Sequence, residues 1–272
     1  MLESFFHMFS YAFLMRAFLV GTVVSAAAAA LGTNLVLKRY SMIGDGLSHV
    51  GFGALAIALA ANIAPLAVAI PVVIVAAVIL LRLGQNSKIN GDSAIALIST
   101  GSMAIGVMII SITHGMTTDI NSYMFGSILA ISDSDLVVSV ILSLLVLILF
   151  IYFYNTLTAV TFDENFSKAV GINVSAYNTI IAVLTALTIV LGMKIIGTLL
   201  ISSLIVIPSL FSMRLCRNFK AVVICSCIFE IICFWLGLFV SYVFTTPAGA
   251  SVVCVNILGL IIAVIIDKIK SK

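Results

Sequence analysis

Asp45 and His49 stand four residues apart in an otherwise apolar stretch that runs from Met42 to Ala61. On a helix that spacing puts both side chains on one face, one turn apart. An ionisable group in hydrocarbon is expensive, so it usually faces a bundle interior and handles an ion, a proton or a substrate. A carboxylate and a neutral imidazole suit a divalent cation such as Zn²⁺, Mn²⁺ or Fe²⁺. Protonation of the imidazole would compete with such a metal. The plainer alternative is structural: Asp45 as the cap of a helix that starts after Arg39, and His49 as an interfacial polar residue. Glu230, within Ile228-Phe229-Glu230-Ile231-Ile232, is the other acid deep in an apolar run. It is a candidate for an ion path or for a pairing with a polar group on a neighbouring helix. Ser48 is expected to pack or to bond back to its own helix. His114 and Asp119 lie on a polar connection, where they would receive metal or simply be solvated, and His7 reads as interfacial.

The elements that must position these residues follow from composition. The chain has 272 residues, 63% of them hydrophobic and 8% charged, with a mean hydropathy of +1.32. Soluble domains carry about 25% charged residues, so the expectation is an all-α, polytopic membrane bundle forming a single domain over residues 1–272. Apolar stretches near the length a bilayer crossing requires fall at 12–37, 42–62, 64–83, 92–113, 136–155, 176–193, 195–213, 221–243 and 249–267. The gap at Gly192–Gly197 is short, which leaves eight or nine spans. Barrel strands would alternate over about ten residues, and these do not. Met1 to Ser10 reads as an interfacial lead-in without the basic flank of a cleavable signal. Cys216, Cys225, Cys227, Cys233 and Cys254 fall in or beside apolar stretches and imply no disulfide framework. A net charge of +3 argues for no nucleic-acid partner.

Every second connection is basic: Lys38 and Arg39, then Arg82 and Lys88, then Lys168, then Arg214, Arg217 and Lys220, then Lys268, Lys270 and Lys272. The positive-inside rule makes those connections cytoplasmic, with the N-terminus outside. Lys194 is the exception. Thr113 to Asp135 contains an apolar middle, Tyr123 to Leu129, expected to be re-entrant or surface-lying on the outer side. The cytoplasmic segment 162–171 reads as a short helix: Asp163 and Glu164 suit its first turn, Lys168 follows Glu164 by four, and Gly171 ends it. Phe162, Phe166, Ala169 and Val170 would line one side, which would either lie on lipid or dock a soluble partner. Small residues at Ser25–Ala30 and at Gly44, Gly46, Gly51 and Gly53 allow close helix contact, with a second copy or within one chain.

The chain carries no His-Glu-x-x-His, no Gly-x-Ser-x-Gly and no complete phosphate-binding loop: Gly192 to Thr198 lacks the lysine after the second glycine. It reads as a non-enzyme that binds no cofactor of its own. Leu37-Lys38-Arg39 through Gly44-Asp45-Gly46-Leu47-Ser48-His49 resembles the Gly-Asp-Ala-Leu-Ser-His signature of the permease subunits of zinc, manganese and iron ABC importers. Asn121 to Leu129, Phe162-Asp163 to Gly171, Gly197-Thr198-Leu199-Leu200 to Pro208, and Pro247-Ala248-Gly249 resemble further segments of that family in the expected order. Gly46 stands where alanine is usual, and Thr245-Thr246 where an aspartate often precedes the proline. The resemblance implies a permease in the cell membrane of bacterial type, working as a homodimer in which Asp45 and His49 of both copies meet one ion. It further implies a cytoplasmic ATPase that uses ATP and docks at Phe162, Asp163, Glu164, Phe166, Ala169 and Gly171, and an extracytoplasmic metal-binding protein that delivers the ion. The rival expectation is a gradient-driven secondary carrier or channel for a divalent cation.

Overall fold

The structure is a computed structural model that describes residues 11–86, 91–113, 124–126, 133–198 and 200–270. Among these residues it is all helical. In chain order the helices are α1 (Ala12–Leu37), α2 (Ile43–Ala60), α3 (Pro65–Asn86), α4 (Gly91–Ile112), α5 (Asp133–Tyr152), α6 (Tyr154–Phe162), α7 (Glu164–Ala169), α8 (Val174–Ile196), α9 (Ile201–Leu215), α10 (Phe219–Phe244) and α11 (Ala248–Lys270). Eight of them are long and apolar enough to cross a membrane, while α9 has 15 residues, about 22 Å of helix.

Side-chain contacts at the helix ends give the course of the chain. At one end Arg16 of α1 pairs with Asp133 of α5 at 2.7 Å, and Lys194 of α8 pairs with Asp135 of α5. A Cβ on Gly249, at the start of α11, would meet the Ile196 carbonyl and the Leu200 side chain. At the opposite end Lys38 of α1 meets Glu164 at 2.9 Å, and Arg214 of α9 meets Asp267 of α11 at 3.5 Å. Helix α9 therefore starts beside the start of α11 and finishes beside its finish, so short as it is, it makes the traverse. The bundle has nine traverses among the described residues, with the start of α1 and the finish of α11 at opposite ends. Lys38, Arg39, Arg82, Lys168, Arg214, Arg217 and Lys220 gather at one end, the cytoplasmic one by the positive-inside rule. The outlier Lys194 is paired, which explains how a cation is tolerated at the other.

Two boundaries differ from expectation. The traverse expected over 195–213 begins at Ile201, because Gly197 adopts φ 98° and ends α8. A Cβ there would lie 2.3 Å from the Met124 carbonyl oxygen, so the outer connection presses directly on this turn. The span expected over 136–155 breaks at Phe153 and continues as α6, so Phe162 closes α6 rather than opening the cytoplasmic helix.

Helix α1 is the centre. It buries Ser25 and Ala27–Leu35 and packs on α5, α8, α9 and α10. With lipid as solvent the hydrophobic effect does little to join helices, so close approach through small side chains supplies the packing. Hydroxyls in these walls bond back to their own helices, as Thr33 to the Ala29 carbonyl and Thr188 to the Leu184 carbonyl.

Candidate functional site

The end of α1 fixes where Asp45 can stand. Arg39 N–H donates to the Val36 carbonyl and Tyr40 N–H to the Leu35 carbonyl, at 3.1 and 2.8 Å. That pattern is a Schellman stop whose left-handed position is usually glycine; here it is Arg39, at φ 60°. The chain then turns into α2, whose N-cap is Met42 with no side-chain cap bond. Asp45 is thus the third helical residue rather than the cap, where its charge still favours the helix N-terminus.

His49 Nε2 lies 3.7 Å from Asp45 Oδ1, with the side chains 12% and 37% exposed. That separation is too long for a hydrogen bond. Two ligand atoms each ~2.1 Å from one zinc at the tetrahedral angle lie about 3.4 Å apart, so the pair stands close to a shared-ion geometry. Ser48 donates to the Asp45 carbonyl at 2.7 Å, a bond back to its own helix as the sequence suggests.

Asp45 opens onto a cleft of about 410 Å³ between α2 and α4, lined also by Met42, Asp92, Ile95, Ser99 and Thr100. A shallower groove of about 600 Å³ continues along α4 past Thr100, Met103, Val107 and Ser111. Asp92 is the residue that sequence reading missed. Its signal was an acid in the first turn of an apolar helix at the basic end of the bundle. What could not be read is the parallel register of α2 and α4, which sets Gly46 against Ile95 and Gly53 against Ser102. These contacts also show what the α2 glycines do: Gly44, Gly46, Gly51 and Gly53 all meet neighbours inside one chain.

Glu230 is fully buried on α10, where Asn256 Nδ2 of α11 donates to its Oε1 at 3.2 Å. It does not line the cleft beside Asp45. The cytoplasmic helix exists as α7: Asp163 caps it by accepting from Phe166 N–H at 2.9 Å, and Gly171, at φ 88°, closes it. Phe162, Phe166 and Val170 are 64%, 63% and 62% exposed, and Ala169 is exposed beside them. Burial pushes the Glu164 carboxyl up, but hydrogen bonds from Lys38 and Asn178 and the charges of Lys38 and Lys168 carry it below its ordinary range. Thr246, where the resemblance expects an acid nearby, shares a hydroxyl contact of 2.7 Å with Ser251 at the start of α11. His7, His114, Asp119, Tyr123 and Ser127–Leu129 lie outside the described residues. Among the described residues no three His, Cys, Asp or Glu side chains gather to hold a metal; Asp45 and His49 stand as a pair, with Asp92 lining the same cleft as Asp45.

A model of the ABC 3 transport family matches residues 10–267. This chain belongs to that family. Membership agrees with the helical bundle and supports an ABC permease over a gradient-driven carrier. The solved structure of PsaBC from Streptococcus pneumoniae in complex with Fab superposes with a TM-score of 0.88 at 29% identity, covering 97% of this chain and 95% of that one. The chain is 31% identical over 240 residues to the high-affinity zinc uptake system membrane protein ZnuB of Haemophilus influenzae, 88% of this chain and 92% of that protein. It is 29% identical over 251 residues to the manganese import system permease protein ScaB of Streptococcus gordonii, 92% of this chain and 90% of that protein. As a multi-pass membrane permease of this family, the chain is a transport component.

Proposed function

We propose that this chain is the membrane permease of an ATP-driven importer for zinc or manganese, with iron a weaker candidate, and that residues 1–272 act as one permease domain. The observation that carries the reading is the Asp45–His49 pair, 3.7 Å apart, with Asp45 lining a cleft, in a family whose relatives are named for zinc and manganese uptake. One carboxylate and one imidazole make an incomplete shell. A second copy presenting the same pair gives four ligands, enough for a zinc-like tetrahedron or the protein share of a manganese shell. The groove along α4 is open in a single chain and is the face on which we seat that copy. The chain performs no covalent chemistry and holds no cofactor. ATP is used by a cytoplasmic ATPase docked on Phe162, Asp163, Glu164, Phe166, Ala169 and Gly171, and an extracytoplasmic protein presents the ion.

The test is element-resolved metal accumulation in cells carrying the chain with its partners, wild type against Asp45→Asn and His49→Ala at equal expression. Uptake of one element should fall by about tenfold or more in each variant, and that element is the substrate. Wild-type accumulation in both variants would remove the pair from the path.

A further inference from the structure

Lys38 ends α1, and its side chain is 6% exposed although it carries a charge. Its Nζ donates to Glu164 Oε1 at 2.9 Å and also to Asn178 Oδ1. Asn178 Nδ2 closes the triangle by donating to the same Glu164 oxygen at 3.1 Å. The three residues belong to the end of α1, the first position of α7 and the second turn of α8. A single ion pair on a surface is loose and screened. A triangle around a nearly buried ammonium ties all three groups, because departure of Glu164 would leave the Lys38 charge without its carboxylate.

What the triangle joins gives it a use beyond stability. On one side is α7, whose Phe166 is exposed and whose backbone packs on α6 and α8; its buried side chain is Ser167. On the other side the chain runs seven positions from Lys38 to Asp45 without slack. Tyr40 N–H is bonded to the Leu35 carbonyl, Ile43 N–H to the Tyr40 carbonyl and Gly46 N–H to the Met42 carbonyl, at 2.8, 3.0 and 3.1 Å. A displacement of Lys38 therefore moves the α1–α2 turn and the first turn of α2 together. A second tie runs alongside it, from the Thr161 hydroxyl at the end of α6 to Asn34 Oδ1 at 3.0 Å.

We propose that the Lys38–Glu164–Asn178 triangle is a positioning link that carries movement of α7 to the Asp45–His49 turn. This deepens the reading above, since it rests on α7 being the element that an ATPase grips. Coupling between two sites requires a physical element whose arrangement both sites bias; here it is the ion triangle with the hydrogen-bonded turn behind it. Lys38 neither lines the cleft nor touches Asp45, so the link concerns how metal movement is tied to ATP and not how metal is held.

The test uses the whole transporter with its ATPase and binding protein in sealed vesicles, reading Zn²⁺ and Mn²⁺ entry and ATP hydrolysis together. In Lys38→Met, metal moved per ATP should fall by about tenfold while ATP hydrolysis stays within about twofold of wild type. Glu164→Gln keeps an acceptor for Lys38 and Asn178 but not the charge, and should lose less. The exchange Lys38→Glu with Glu164→Lys should bring the ratio back to within about threefold. Unchanged metal per ATP in Lys38→Met, or a parallel loss of both activities that the exchange does not restore, would overturn the link and leave the triangle a structural brace. If wild-type vesicles take up neither metal with ATP, it is the importer reading itself that fails.

Discussion

Asp92 is the residue whose role the sequence hid and the fold discloses. It reaches the same cleft as Asp45 from the first turn of α4, at the basic end of the bundle. A second carboxylate on the wall of a narrow cleft adds attraction for a dication without being a ligand in the Asp45–His49 pair. Asp92→Asn should raise the metal concentration for half-maximal uptake by about tenfold, with the maximal rate less affected. An unchanged half-saturation point in vesicle uptake would make Asp92 a helix-start charge and nothing more. The difference between the two acids is one of distance along the chain. Asp45 and His49 announce themselves because one helical turn relates them. Asp92 joins them only through a register between helices, and Lys38 finds Glu164 across 126 positions; no local spacing encodes either meeting.

Helix placement was legible wherever apolar length alone decides it, and less so where a turn is made by contact. Hydropathy and the basic connections place eight or nine spans, and it is the contacts of α9 with both ends of α11 that decide for nine traverses among the described residues. The start of α9 shifted to Ile201 because Gly197 takes a left-handed conformation against the Met124–Gly126 backbone, a contact from a distant connection. Lys194 looked anomalous only until Asp135 was found beside it. The α2–α4 pair shows how backbone approach sets the site: a Cβ on Gly53 would lie 2.7 Å from the Ser102 carbonyl oxygen, while one on Gly101 would meet nothing within 4 Å. Gly53→Ala should therefore push α2 from α4, destabilising the protein by about 1–3 kcal/mol and reducing uptake, and Gly101→Ala should change neither. Thermal melts in detergent with paired uptake assays decide this. Equal melting of the two variants would mean that the helices part without strain and that the Asp45 cleft tolerates it.

At the scale of the whole molecule, the apolar surface is of two kinds. The sides of α4, α5 and α11 expose residues such as Leu97, Ile148 and Leu258, which is what lipid or a second copy accepts. Phe166 on α7 and Val170 just after it differ because they sit with charged residues at the basic, water-facing end. Lipid would favour a basic rim around such a patch, but Asp163 and Glu164 make its near edge acidic, so a protein partner suits it better. Phe162 is partly engaged with Phe219, their rings 5.5 Å apart, which leaves Phe166 as the free aromatic anchor. Buried aromatic anchors carry about 2 kcal/mol or more of an interface, so Phe166→Ser should weaken retention of the ATPase by about thirtyfold. The bundle's own melting temperature should stay unchanged, because Phe166 is 63% exposed and adds little to the core. Co-purification of the ATPase across a dilution series, set beside the melt of the isolated permease, separates these effects. Undiminished retention with Phe166→Ser would move the docking site off α7, and the ion triangle behind it would then have no motion to transmit.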